Sequence, residues 1–123
     1  MIRDENGHPR DLAIVEKYGA VVSYLYPILQ AMPRRHGDLR AHMIGLLCDT
    51  VGLLYHAAKS RQVSRLHAAD AQLATLRYWL QFATDRRCIS YHQHRTALGH
   101  IAEVGAMLGA WIKLAKSNGR SGT

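Results

Sequence analysis

The chain has 123 residues, which suits one domain with its own core and leaves too little for a second. Its 16 Lys and Arg against 9 Asp and Glu give a formal charge of +7, which favours polyanionic partners such as nucleic acid. No apolar run approaches the roughly 20 residues of a membrane span, and residues 1–10 fit neither a secretory signal nor a transit peptide. Only two cysteines occur, Cys48 within an apolar helical pattern and Cys88 in a predicted turn, which argues against a disulfide framework and favours a reducing cytoplasm. We expect a cytoplasmic protein, outside any membrane, with a flexible segment over residues 1–10.

The first of four amphipathic segments ends at Pro33. Its apolar residues recur at alternating steps of three and four, the spacing that keeps one face of a helix against a core. These positions are Val15, Tyr18, Val22, Leu25, Leu29 and Met32. The turn from Pro33 to Asp38 follows, and Asp38 is placed to cap the next helix through its side-chain oxygen.

The second segment is mostly apolar along two neighbouring series, so this helix is expected to be covered on more than one side. The first series is Leu39, Met43, Leu46, Thr50, Leu53 and Ala57, and the second is Ile44, Leu47, Val51, Leu54 and Ala58.

The third and fourth segments complete the pattern. The third begins after Ser60 and has neither glycine nor proline up to Arg87, and its apolar stripe is Leu66, Ala69, Leu73, Leu76, Leu80 and Ala83. The fourth opens near Ser90 and is expected to stop at Asn118-Gly119. Three glycines each weaken the fourth helix by roughly 1 kcal/mol relative to alanine, which predicts close helix contact where they stand. They are Gly99, Gly105 and Gly109.

The short connections between these four helices make sequential neighbours antiparallel. The pattern therefore predicts an all-α fold, an antiparallel up-down four-helix bundle over residues 11–118. Residues 119–123 are expected to form a disordered tail.

The spacing of the histidines does not fit a metal site. Side chains two apart on a helix point about 200° apart, so His92 and His94 cannot share a metal on a regular helix. His100 and Glu103 reverse the Glu-x-x-His order of di-iron bundles, and they occur once. No nucleophile with a base at a recognisable spacing and no Gly-rich phosphate loop is present. We expect no metal, no cofactor and no catalytic residue.

The basic residues group by position in the bundle. Because helices alternate in direction, the second turn and the end of the fourth helix share one end of the bundle, and the first and third turns share the other. The first end is predicted to hold Lys59, Arg61, Arg65, Lys113, Lys116 and Arg120, and the second Arg34, Arg35, Arg86 and Arg87. A solvated surface is the plain interpretation of such groups, and the net charge favours nucleic-acid or partner binding.

Arg77 differs from these residues because it borders the apolar stripe of the third helix rather than a turn. A charge in that position pairs across helices or subunits, with Asp70 as the candidate partner, or contacts RNA. Both interpretations stay open. The predicted binding residues are thus Arg34, Arg35, Lys59, Arg61, Arg65, Arg77, Lys113 and Lys116.

Several motifs together resemble the accessory variability determinant family of diversity-generating retroelements. They are Val22-Ser23-Tyr24-Leu25-Tyr26-Pro27, Pro33-Arg34-Arg35-His36-Gly37, Lys59-Ser60-Arg61-Gln62-Val63-Ser64-Arg65-Leu66, Leu76-Arg77-Tyr78-Trp79-Leu80 and Ile101-Ala102-Glu103-Val104-Gly105. The likeness covers roughly residues 13 to 119 in unchanged order.

The resemblance implies a four-helix bundle that assembles into a pentameric barrel with a basic surface. It further implies a non-catalytic role in mutagenic retrohoming, with a reverse transcriptase, its template RNA, and DNA or an RNA–DNA hybrid as partners. Two alternatives stay open: a helical bundle of the type encoded by intervening sequences in ribosomal RNA genes, and a protein-only adaptor whose basic surface meets an acidic partner.

Overall fold

A computed structural model describes the backbone of residues 9–121 and the side chains of residues 13–117. It contains four α-helices, α1 (Pro9–Gln30), α2 (Gly37–Ser60), α3 (Val63–Asp85) and α4 (Tyr91–Ser121), and a short 3-10 helix, η1 (Arg34–His36). The predicted all-α bundle is confirmed. The predictions of a flexible segment 1–10 and a disordered tail 119–123 concern residues whose side chains lie outside the described part.

The helices close into a bundle because each packs against the next in the chain and α4 also packs against α1. Tight connections make neighbouring helices antiparallel. The α1–α2 and α3–α4 connections therefore lie at one end of the bundle. The α2–α3 connection and the carboxyl-terminal part of α4 lie at the other, as the sequence predicted.

The core consists of the apolar stripes that the sequence identified. Its largest fully buried side chains are Tyr18, Ile14, Leu25, Leu29, Met43, Leu47, Leu54, Leu66, Leu73, Leu76, Leu80 and Ile101. The hydroxyl of Tyr18 donates a hydrogen bond of 2.6 Å to the carbonyl oxygen of Leu47, which ties α1 to α2. Burial raises the pKa of Tyr18 to about 12, while a hydrogen bond with Thr50 acts in the opposite direction.

The second apolar series of α2 is packed against the core without being wholly covered. Leu47, Leu54 and Ala58 are buried, whereas Ile44 and Val51 are half-buried. The prediction that α2 is covered on more than one side holds only partly for the single chain, because partly exposed apolar area is left along this helix.

The start of α2 differs from the prediction. His36, not Asp38, is the N-cap residue, and no side-chain hydrogen bond caps the helix. The reason is that η1 leads directly into α2, so the helix begins at Gly37 and Asp38 already lies in its first turn. There the carboxylate still interacts favourably with the positive end of the helix dipole.

The α3–α4 connection is built from two standard helix-end motifs. The amides of Arg87 and Cys88 donate to Thr84 and Ala83 at 3.0 and 2.8 Å, which is the hydrogen-bond pair of a Schellman motif. At the start of α4, the amide of Gln93 donates to Ser90 Oγ at 3.0 Å, and the amide of Ser90 donates to Gln93 Oε1 at 2.9 Å. This reciprocal capping box fixes the first turn of α4.

The glycines of α4 do not mark close helix contacts, contrary to the prediction. A Cβ atom at Gly99 or Gly109 would meet no atom within 4 Å, and one at Gly105 would meet only the Arg77 guanidinium, at 4.0 Å. The helix also continues through Asn118-Gly119 to Ser121. One glycine costs about 1 kcal/mol in a helix, which weakens the helix without ending it.

Candidate nucleic-acid interface

The eight predicted binding residues fall into three places. Five of them lie where α2 meets α3 and along the last turns of α4, which we call the tryptophan end after Trp111: Lys59, Arg61, Arg65, Lys113 and Lys116. Arg34 and Arg35 lie in η1, at the opposite end. Arg77 lies between the ends, on α3. The prediction that Arg120 joins the tryptophan end concerns a side chain outside the described residues.

At the tryptophan end, Arg61 has a structural role. It follows α2 with a left-handed φ of 54°, a conformation normally taken by glycine. Its amide donates to the carbonyl of Ala57 at 2.9 Å, and its Nε donates to the carbonyl of Ala58 at 3.0 Å. Its guanidinium lies 3.6 Å from the centre of the Trp111 ring. This cation–π contact joins the α2–α3 connection to α4.

Beside this contact, Arg61 and Trp111 line a shallow depression with Gln62, Val63, Leu114 and Ala115. Leu114 is 56% exposed, and Lys59, Arg65, Lys113 and Lys116 are exposed around it. The tryptophan end therefore combines an apolar patch with exposed cations. The Arg61 guanidinium, which lies over the indole ring of Trp111, already makes contacts within the fold.

Arg77 is half-buried and lies against α4. One of its guanidinium nitrogens is 4.0 Å from where a Cβ of residue 105 would stand, which is ordinary van der Waals contact, so the arginine lies next to α4 at this point. Among the described residues, Arg77 and Asp70 form no ion pair. The predicted pairing is thus not made within the chain, and the position of Arg77 beside the core stripe is as predicted.

The opposite end, which we call the arginine end, gathers guanidinium groups. It comprises the exposed Arg34, Arg35, Arg86, Arg87 and Arg95, from η1, the α3–α4 connection and the second turn of α4. The Arg86 guanidinium lies 5.1 Å from the centre of the Phe82 ring. Phe82 continues an edge-to-face series through Trp79 to Tyr78 and His42, with ring centres 5.1 to 5.6 Å apart.

Two residues of the arginine end were missed from the sequence. Tyr91, the first residue of α4, is 68% exposed. Arg95 follows it by one turn, with its guanidinium 5.8 Å from the ring centre and its Nη1 donating to the tyrosine oxygen at 3.3 Å. The signal was the spacing of four between an aromatic and a basic residue, which places both on one helix face.

The histidines diverge as the helix geometry predicted, since His92 is exposed and His94 is buried. Among the described residues, no three side chains of the types His, Cys, Asp and Glu come together as a metal site. Within the same part of the chain, no helix is both long enough and apolar enough to cross a bilayer.

Together, the bundle and its two basic ends define a small helical protein with surfaces suited to a polyanion. The model of the bAvd-like family matches residues 12–115, which is most of the chain. The chain belongs to this family, and is thus an accessory protein of the type found in diversity-generating retroelements. The family is not known to be catalytic. A comparison with curated proteins found no match.

Proposed function

We propose that the protein is a non-catalytic, cytoplasmic accessory factor of a diversity-generating retroelement. It binds the reverse transcriptase and its template RNA, or the RNA–DNA hybrid made from it, through its basic surface in support of mutagenic retrohoming. The observation that carries this proposal is the family match over residues 12–115. The charge of +7 and the grouping of cations at both ends support it, because lysine and arginine neutralise backbone phosphates without reading sequence.

We further propose that the protein works as a ring of identical subunits, a pentamer by resemblance to the family. The support from the fold is the apolar area that one chain leaves partly exposed. Ile44, Val51 and Leu53 are only half-buried along α2, and Tyr26 and Tyr55 are each 39% exposed. A closed symmetric assembly covers such area without leaving an edge on which further copies could add.

The experiment is co-purification of the protein with the reverse transcriptase encoded beside it, combined with light scattering and RNA binding at several salt concentrations. We expect an oligomer, a stable complex, and an RNA affinity that falls steeply as salt rises, because bound cations release counterions from the phosphates. A monomer would contradict the ring. Binding of the transcriptase with no affinity for RNA would favour a protein-only adaptor, and the absence of both would favour an unrelated bundle function.

Arg77 offers a sharper test of the partnership. Its planar guanidinium is held against α4 on a rigid helix, whereas the ammonium of Lys116 is exposed near the end of α4. Arg77→Glu should reduce co-purification and RNA affinity more than the matched charge reversal Lys116→Glu. Equal losses would leave only total charge as the cause. A change in oligomer size caused by Arg77→Glu would instead assign the residue to a subunit contact.

A further inference from the structure

Tyr91 is the most exposed tyrosine among the described residues, with 68% of its surface accessible. It is also held in place. Arg95 donates to its oxygen at 3.3 Å and lies 5.8 Å from the centre of its ring. The capping box of Ser90 and Gln93 fixes the backbone on which the ring is mounted. An exposed aromatic ring on an ordered backbone can bind a ligand without first having to be ordered.

The ring adjoins a shallow groove of about 400 Å³, which it lines together with Arg87, Cys88, Ser90 and Gln93, and with Thr84 and Ile89. Hydroxyl, amide and guanidinium groups therefore stand next to the ring. Arg87 is exposed, and within residues 13–117 its guanidinium forms no ion pair, hydrogen bond or ring contact. The groove thus places the planar face of Tyr91 beside an exposed arginine that has no partner among the chain's described side chains, and this arginine lies at the same end of the bundle as Arg34, Arg35 and Arg86.

The charge around the ring identifies the chemistry of the occupant. Arg34, Arg35 and Arg86 lie at the same end of the bundle, and Asp85, the nearest carboxylate along the chain, already accepts a hydrogen bond from Gln81 at 2.9 Å. Guanidinium groups bind phosphates in a bidentate manner, and exposed aromatic rings stack on nucleobases. Bases within a duplex already stack on each other, so a free ring selects an unpaired base.

We propose that Tyr91, with Arg87 and Arg95 beside it, is a stacking site for an unpaired nucleobase of RNA, whose neighbouring phosphates the arginines of this end bind. The proposal rests on the proposed RNA-binding function and adds to it the strandedness of the RNA and the position of the site. The protein then holds single-stranded segments of its RNA at the arginine end and contacts duplex segments through charge alone.

The test compares three short ligands of equal length: an unstructured RNA, the same RNA in a perfect duplex, and an abasic ribose-phosphate chain. The abasic chain keeps the phosphates and lacks the bases. Tyr91→Ala should weaken binding of the unstructured RNA by roughly 5- to 150-fold, the range of one lost base–aromatic stack, and leave the other two ligands unchanged. Tyr91→Trp should retain the affinity because it keeps an aromatic face.

Tyr78→Ala is the matched control, because Tyr78 is 63% exposed on α3 and, within residues 13–117, no guanidinium lies over its ring. It should bind all three ligands as the wild type does. Equal losses for Tyr91→Ala on the unstructured and abasic ligands, or equal losses for the two tyrosine variants, would overturn the stacking site. A smaller oligomer for Tyr91→Ala would also overturn it and make the ring a subunit contact.

The outcome separates this inference from the proposed function. If the wild-type protein binds RNA and Tyr91→Ala binds equally well, the stacking site is contradicted, while RNA binding by the basic surface is still supported. Failure of the wild-type protein to bind any of the three ligands removes both. Loss confined to the unstructured RNA supports both.

Discussion

The two ends of the bundle carry cations in similar numbers, yet they use them differently. At the tryptophan end, Arg61 stacks on Trp111 at 3.6 Å and donates to Ala58, so its guanidinium is part of the fold. At the arginine end, Arg87 occupies the equivalent place after its helix, and its guanidinium has no partner among the described side chains. A cluster of charged residues therefore indicates a binding surface only once the partners of each residue within the fold are known.

The largest expected effect is the loss of RNA affinity when three arginines are removed from the arginine end. The control removes three cations from the tryptophan end. Arg34→Ala, Arg35→Ala and Arg87→Ala together should lower RNA affinity by about 100-fold, at roughly 1 kcal/mol for each lost phosphate contact. The slope of log affinity against log salt should flatten by about 3.

The matched triple variant is Lys59→Ala, Lys113→Ala and Lys116→Ala, which removes the same charge from the tryptophan end. We expect a loss of no more than about tenfold, because exposed ammonium groups add mainly diffuse attraction. Indistinguishable binding curves for the two triple variants would break the comparison and leave net charge as the sole determinant.

The next effect is on stability, and it belongs to the tryptophan end. Trp111→Ala removes a ring that packs against the core and contacts Arg61, so we expect the free energy of unfolding to fall by about 3 kcal/mol. Trp111→Phe should recover much of that loss. Chemical denaturation measures both, and Tyr91→Ala, which removes an exposed ring from the arginine end, should change the free energy of unfolding by no more than about 0.5 kcal/mol.

Tyr18 supplies a change that touches neither end. Tyr18→Phe removes the hydrogen bond to Leu47 and should cost about 1 kcal/mol at neutral pH. RNA affinity should stay at the wild-type value at temperatures where the variant is folded. A drop in affinity would show that stability losses alone mimic the effects assigned to the arginine end.

The same variant tests the raised pKa of Tyr18. In the folded state the phenol stays protonated to about pH 12, while in the unfolded chain it ionises near its ordinary value of 10.0. Between these values the folded state binds more protons, so stability falls as pH rises, by on the order of 1.4 kcal/mol per pH unit. Tyr18→Phe should lose this part of the alkaline destabilisation. Identical pH profiles above 10 would contradict it.

The smallest effect concerns the two left-handed arginines, with φ 54° at Arg61 and 61° at Arg87. Glycine adopts this conformation without strain, whereas any other residue in it costs about 1 kcal/mol of folding free energy. Arg87→Gly should therefore raise the stability slightly and lower RNA affinity. Arg61→Gly should gain nothing, because it also loses the Trp111 contact. Thermal melts of the two variants that shift by the same amount would remove the distinction between the ends.

Much of the fold follows from the sequence because apolar spacing is a direct record of which helix faces are buried. The stripe from Leu66 to Ala83 on α3 is buried as predicted. The start of α2 was misplaced because η1 absorbs the turn, and no residue pattern distinguishes a 3-10 turn leading into a helix from a capped start. The glycines of α4 were misjudged because propensity gives the cost of a glycine and not what faces it.

The sequence predicted which charged residues lie at each end of the bundle, but not which of them make contacts within the fold. Arg34, Arg35 and Lys59 could be assigned to ends from the alternation of helix direction alone. That Arg61 is held by Trp111, 50 positions further along the chain, depends on the packing of three helices. Tyr91 was missed because its one signal in the sequence, an arginine four residues later on the same helix face, is also typical of ordinary surface pairs.

The left-handed backbone at Arg87 has a consequence for inheritance. An arginine codon of the CGN type becomes a glycine codon by one base change, so the more relaxed residue is always one mutation away. Selection for stability alone would favour that change at position 87, whereas at position 61 the change would also remove the Trp111 contact. An arginine kept at position 87 is therefore kept for what its side chain binds and not for the stability of the fold.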